Sequence, residues 1–238
     1  MKTFYKALLL AFISVLFVQC KSETKSAQPI SSENTIQYAK GFSIHNYDGY
    51  SIITVQNPWP KATKTYTYIL KEKNGIVPDS LSQNPIINVP IQKIVVTSTT
   101  HIPSLEMLDE ENKLIGFPNL DYISSEKVRT LIDQKKVKEL GNNQSLNTEV
   151  ILDLQPDVII GFGVDGEKKT YDQLQQNGLK ILYNGDWTEQ HPLGRAEWIQ
   201  LFGVLFGMEE QADLVFKTIE KDYLKAVKLA QKAHSKPT

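Results

Sequence analysis

NTEVILDLQPDVIIGFG, residues 147–163, decides how the chain is read. Val158, Ile159 and Ile160 form an unbroken β-branched run. A strand with one wet face would alternate with polar residues, so this strand is predicted to be buried on both faces. The residues before it, from Asn147, have the spacing of a short amphipathic helix. Pro156 cannot continue that helix, and it pushes Gln155 out of the right-handed α region. Helix, tight turn and buried strand make the repeating unit of a parallel α/β sheet, whose ligands sit beyond the carboxyl ends of the strands. The loop at that end, Gly161-Phe162-Gly163-Val164-Asp165-Gly166, is therefore the first candidate for function.

Working outward, the same alternation recurs. Upstream lie a buried-type strand at Ile94-Val95-Val96-Thr97-Ser98, a short helix from Pro103 to Asp109, a strand from Lys113 to Phe117, and a helix started by Ser124-Ser125-Glu126. Downstream, a helix from Glu167 to Gln176 is stopped by Asn177-Gly178, and the strand Lys180-Ile181-Leu182-Tyr183 follows. Strands alternating with helices predict one parallel-sheet α/β lobe over residues 89–207. Its last helix begins at His191-Pro192-Leu193-Gly194-Arg195-Ala196-Glu197-Trp198, with Pro192 suited to the first helical position, and ends at Gly207. From Met208 to Ser235 there is no Gly or Pro. There Ala212, Val215, Phe216, Ile219, Tyr223, Ala226, Val227 and Ala230 recur at three- and four-residue spacing. That predicts one long helix in 208–238, roughly 40 Å from end to end, more than a lobe of this size needs to cover its sheet. Lys236-Pro237-Thr238 reads as though another element should follow.

Before the lobe the period changes. Ile36-Gln37-Tyr38, Phe42-Ser43-Ile44, Tyr50 to Val55 and Tyr66 to Leu70 read as short strands separated by turn formers. Residues 35–88 are thus predicted to be a small antiparallel β extension that packs on the lobe, ending in a Pro/Asn/Ser linker over 74–88. Residues 21–34 are polar and read as a solvated tether. Residues 1–20 combine Lys2 and Lys6 with an apolar run from Ala7 to Val18, which is a secretory signal too short for an ordinary membrane span. Cys20, the only cysteine, stands where lipoprotein signals are cut and lipidated, although Gln19 occupies a place where a small residue is expected. One cysteine allows no intramolecular disulfide. A net charge of −1 without a basic block argues against nucleic acid as a partner.

The loops after the strands, around Thr100-His101, Phe117-Pro118, Phe162-Gly163 and Trp187, are the expected wall of a ligand cleft. Arg195 is expected in a first helical turn, where a cation opposes the helix dipole. Asp186, Glu189, Glu197 or an anionic ligand would then have to balance it. Gly161, Gly163 and Gly166 match G-x-G-x-x-G, with Asp186 near the next strand end. This is the competing signal, a dinucleotide-binding oxidoreductase-like α/β domain. Against it, two strand-helix units precede the motif, and an exported protein meets little nicotinamide cofactor. Of the histidines, His45, His101, His191 and His234, only His101 and His191 are expected to share the cleft, so no dedicated metal site and no cofactor are expected. No G-x-S-x-G elbow exposes a serine nucleophile, and no catalysis is expected.

The lipoprotein-like start, the α/β lobe, the Gln155-Pro156-Asp157-Val158-Ile159-Ile160 turn, the His191 to Trp198 stretch and the long terminal helix occur in an order that resembles the substrate-binding lipoproteins of bacterial iron-siderophore, haem and vitamin B12 ABC importers. The resemblance covers about Ile91 to Ser235. It implies two α/β lobes joined by a rigid spine helix, with a siderophore, haem or cobalamin-like ligand between them and delivery to an inner-membrane permease. It also implies an aromatic platform at Phe162, a permease-docking acid at Glu149, and a protein outside the cytoplasm, periplasmic or at the cell surface, anchored by lipid at Cys20. On that basis this chain is tether, β extension, first lobe and spine, with the second lobe absent.

Overall fold

The structure, a computed structural model, describes residues 33–161, 163 and 169–233. The signal, Cys20, most of the tether, Phe162, Gly166 and His234 lie outside the described residues.

The chain first forms β1 (Phe42–Tyr47), β2 (Tyr50–Val55) and β3 (Tyr66–Glu72), an antiparallel meander as its alternating aromatic and β-branched residues predict. Two expectations fail here. Ile36 to Tyr38 is not a strand, because the Ile36 N–H is taken by the Asn34 side chain and those of Gln37 and Tyr38 by a distant glutamate described below. The expected linker ends instead in β4 (Ile86–Val89), which runs parallel to β3 with Ile87 opposite Leu70. Ile44, Ile53, Val55, Tyr68, Leu70 and Ile87 put the apolar face of this four-stranded sheet into the common core.

There follow β5 (Ile94–Val96), α1 (Ile102–Met107), β6 (Leu114–Phe117), α2 (Glu126–Asp133), β7 (Lys138–Glu139), a hairpin of β8 (Gly141–Asn142) and β9 (Ser145–Leu146), α3 (Thr148–Leu154), β10 (Val158–Gly161), α4 (Lys169–Gln176), β11 (Ile181–Tyr183), α5 (Pro192–Glu197), α6 (Ile199–Phe206) and α7 (Glu209–Lys232). The second sheet has the order β11-β10-β5-β6-β7, and every pair in it is parallel. The strand chosen from sequence is interior: Ile159 pairs with Ile181 on one side and Val95 on the other, and all four residues of β10 are buried. Asn147 caps α3 by accepting from the Val150 N–H at 3.2 Å, and Gln155 closes it in the left-handed region at φ 49°. Asp157 then ties the start of β10 to that of β5, its Oδ2 accepting the N–H groups of Gln92 at 2.6 Å and Lys93 at 2.9 Å.

The helix expected from Pro192 to Gly207 is two helices. α5 is six residues long, and the chain re-forms at Trp198 before α6. Gly207, at φ 68°, then ends α6 as expected. α7 starts beside the amino ends of the strands, where the Ile91 N–H bonds the Leu205 carbonyl at 2.9 Å and a Cβ on Gly203 would lie 2.6 Å from that of Ala212. Some fourteen residues later, Tyr223 meets the ring of His191, which follows the carboxyl end of β11. Only Ala212 and Phe216 of α7 are buried. From Lys221 onward the helix has half-buried Tyr223 and Val227 and otherwise exposed residues, Leu224 and Leu229 among them. Its 24 residues span about 36 Å, so its second half runs past the sheet. Among the described residues no helix is long and apolar enough to cross a membrane.

Candidate functional site

The loop after β5 is fixed by Ser98, whose Oγ accepts the Thr100 N–H at 3.3 Å and lies 2.9 Å from Thr100 Oγ1. The loop after β11 is the one-turn helix Asp186–Thr188, begun by an Asn184 Oδ1 bond to the Asp186 N–H at 2.8 Å. These two loops bring Thr100, Asp186 and Trp187 to one groove of about 390 Å³, whose other walls include Pro103 and Met107 of α1, Arg195 of α5 and Ile219 of α7. Three sequence-nominated residues, Thr100, Trp187 and Arg195, therefore converge.

His101 does not line that groove. It is fully buried, 6.1 Å from the Phe202 ring, and neither ring nitrogen has a hydrogen-bond partner among the described residues. Burial without a partner pushes its pKa down to about 4, against the weaker upward pull of Asp186. At neutral pH His101 is an uncharged imidazole. Asp186 Oδ1 and Asn184 Nδ2 likewise have no partner among the described residues. Such unsatisfied buried groups are few in native proteins and tend to mark sites.

Phe117 is 2% exposed and packs in the core. Inward-facing on an interior strand, it presents no surface to a ligand. The aromatic that does face solvent after β6 is Tyr122, 71% exposed. Period-2 counting from Phe117 could not have found it, because it lies beyond a turn.

Arg195 also needs correction. Since α5 ends at Glu197, Arg195 sits in a last turn rather than a first, where a cation agrees with the dipole. Its Nε donates to the Glu189 carbonyl at 2.8 Å. Two of the three acids expected to balance it are engaged elsewhere, Asp186 being the exception. Glu197 accepts the N–H groups of Gln37, Tyr38 and Ala39 at 2.7–2.8 Å, and Glu189 those of Lys40 and Gly41 plus Trp198 Nε1. Glu197 and Trp198, at the junction of α5 and α6, are both buried and hold this segment.

Sequence reasoning missed the cavity that results, about 510 Å³ and lined by Tyr38, Lys40, Asn57, Gln190 and His191 among others. His191 caps α5, stacks on Tyr38 at 5.7 Å and meets Tyr223 edge-on. His101 and His191 thus do not share a cleft. Among the described residues no group of three or more His, Cys, Asp or Glu is placed to hold a metal ion. Gly163 has a packing reason of its own: a Cβ there would lie 2.8 Å from the Trp59 ring. Glu149 is exposed in the first turn of α3, and the amino end of that helix lies on the same side as the carboxyl ends of the strands, since α3 leads back to the start of β10.

The chain is 26% identical over 223 residues to an uncharacterized lipoprotein of Methanocaldococcus jannaschii, covering 84% of this chain and 53% of that protein. A second, uncharacterized protein of the same organism is 23% identical over 193 residues and is 51% covered. The chain thus spans about half the length of the curated relatives it matches. Among solved structures, the siderophore-binding protein BauB, bound to two molecules of acinetobactin and ferric iron, superposes with TM-score 0.53 at 16% identity, over 78% of this chain and 56% of that one. A periplasmic haem-binding protein from Pseudomonas aeruginosa superposes with TM-score 0.50 at 20% identity, over 62% of this chain and 50% of that one. At such identities these two likenesses establish the fold alone. The sequence profile of the periplasmic binding proteins, which bind for transport rather than catalyse, matches residues 94–238, β5 through α7, and the chain belongs to that family.

Proposed function

We propose that the protein is the solute-binding component of an ABC importer and that it captures an iron-siderophore, haem or cobalamin-like ligand at the carboxyl edge of the parallel sheet for delivery to a membrane permease. The observation that carries this is α7. A helix that continues beyond its own sheet, with Tyr223, Val227, Leu224 and Leu229 incompletely covered, has the form of a spine awaiting a second lobe, and the chain spans about half of its relatives. The siderophore and haem ligands of the structural neighbours support the ligand class.

In this account residues 89–207 are the first lobe and 208–238 the spine, with residues 35–88 packed on the lobe as an integral extension. Thr100, Trp187 and Arg195 contribute to the cleft wall, Glu149 is the docking acid, and Cys20 carries the lipid that holds the protein outside the cytoplasm. The lipoprotein relative supports the last point. Against the dinucleotide alternative, Gly163 has a packing reason of its own beside Trp59.

The test is uptake. In cells deleted for the gene, accumulation of radiolabelled ferric siderophore, haem iron or cobalamin should fall for one of the three and return with the wild-type gene. Unchanged accumulation of all three would refute the proposal.

A further inference from the structure

We propose that Tyr38, carried by the segment before β1, is a positioning residue that fixes the direction in which α7 leaves the lobe. This rests on the reading of α7 as a spine proposed above, because a fixed exit is what would hold a second lobe in register over the carboxyl edge.

Phe216, Glu220 and Tyr223 stand at i, i+4 and i+7 of α7 and so share one face of the helix. The Tyr38 hydroxyl donates to the Glu220 carboxylate, and the Tyr38 ring meets that of Phe216 edge-on at 6.0 Å. The same ring stacks on His191 at 5.7 Å with the planes 17° apart, and His191 in turn meets Tyr223 at 5.6 Å. Phe216 is buried and anchors the helix on the lobe. Among the described residues beyond Glu220, only Tyr223 and Val227 are half-buried and the rest are exposed. Tyr38 therefore grips α7 at the place where the lobe stops covering it. From Glu220 to Lys232 the helix runs on for about 18 Å, so a small change of angle at Glu220 is magnified at its tip.

A clamp positions a helix only when its own base is fixed. Glu197 accepts the N–H groups of Gln37, Tyr38 and Ala39 at 2.7–2.8 Å, and Glu189 those of Lys40 and Gly41 at 3.0 and 2.7 Å. His191 is oriented as well, its Nδ1 accepting the Leu193 N–H at 3.1 Å. Both supports belong to the lobe, so Tyr38 passes the position of the lobe on to the helix. A hydrogen bond to a carboxylate is stronger than one between neutral groups, and ring contacts at these separations add to it. Tyr38 lies outside the residues 94–238 that the family profile matches, so the clamp is contributed by the chain that precedes the shared lobe.

The test uses full-length protein carrying Cys20→Ser, with nitroxide labels at Gln134→Cys on the lobe and Lys228→Cys on α7, both exposed positions. Double electron–electron resonance reads their separation. With Tyr38 intact the separation should be a single narrow distribution, and Tyr38→Ala should broaden or shift it by several ångström. Tyr38→Phe and Glu220→Ala, which lose the hydrogen bond and keep the ring contacts, should fall between; Glu220→Gln, which keeps an acceptor, should match wild type. These milder variants decide the matter if circular dichroism shows the alanine variant unfolded. A wild type that is already broad, or distributions unchanged by the loss of the bond and of the ring, overturn the role of Tyr38 and leave the receptor function standing. In cells, Tyr38→Ala at wild-type protein levels should lower, several-fold, the accumulation of haem iron, ferric siderophore or cobalamin, whichever the gene deletion lowers. Normal accumulation with a displaced helix would overturn the positioning role. A deletion that lowers none of the three overturns the receptor function alone, and the label separations still decide Tyr38.

Discussion

The Glu197 carboxylate accepts the backbone N–H of Tyr38 at 2.7 Å across 159 residues of chain. The same oxygen takes the Ala39 N–H and its partner oxygen that of Gln37, with Glu189 continuing the pattern onto Lys40 and Gly41. Both glutamates are buried, so the carboxylates gain strength from a low-dielectric setting and would be costly to leave unpaired. The segment before β1 is therefore pinned to the lobe, with Ile36 and Ala39 buried.

Glu197→Ala strands three backbone donors and should cost on the order of 3 kcal/mol, which lowers the melting temperature by roughly 6–12 °C for a protein of this size. Glu197→Gln, able to keep part of the set, should lie between. Thermal denaturation followed by circular dichroism decides it, and an alanine variant melting with wild type would contradict the clamp.

This contact also marks where the sequence stops being legible. β10 could be read because its apolar run and the Pro156 turn are local signals, and the long helix because 24 residues of one period leave little ambiguity. Ile36-Gln37-Tyr38 has strand-like residues, yet the Gln37 and Tyr38 donors are claimed by an acid some 160 positions away, which no local pattern encodes. β4 has strand-forming Ile86, Ile87 and Val89 but is only four residues long and sits between Pro85 and Pro90, so its pairing to β3 was not legible locally. At the edge of the sheet, Thr100 and Trp187 were legible from the sheet rule, whereas Arg195 was singled out for a first-turn position it does not hold. Which aromatic faces outward was not legible: Phe117 and Tyr122 are distinguished only by the turn that Glu139 fixes.

His101 makes the fold sensitive to acid. Its folded pKa, about 4, lies below the ordinary value of about 6.5, so the unfolded chain binds the proton more readily between those limits. Stability is full above about pH 6.5 and is lost as pH falls toward 4, by on the order of 3 kcal/mol from this group. His101→Phe, which fills the same space beside Phe202 without stranding a nitrogen, should be neutral or stabilising at pH 7 and should flatten the loss. Urea denaturation at pH 7.0, 5.5 and 4.5 reads both effects, and an equal pH slope in the variant would place the sensitivity elsewhere.

Glu149 separates helix stability from docking. An acid in a first turn is worth about 0.3–1 kcal/mol to the helix, so Glu149→Ala should lower the melting temperature by a few degrees at most. If the carboxylate meets cations on the permease, uptake should fall in Glu149→Ala and further in Glu149→Arg, with ligand affinity unchanged, because like charges then face each other. Normal uptake by Glu149→Arg would remove docking from this residue.

The carboxyl edge of the parallel sheet is the proposed receiver of a siderophore, haem or cobalamin-like ligand. Isothermal titration of the full-length protein with ferric siderophore, haem, cobalamin and, as control, a nicotinamide dinucleotide tests it most directly. Saturable one-to-one binding of at least one of the first three and none of the dinucleotide is expected; heat only with the dinucleotide, or with no ligand at all, would contradict the proposed site.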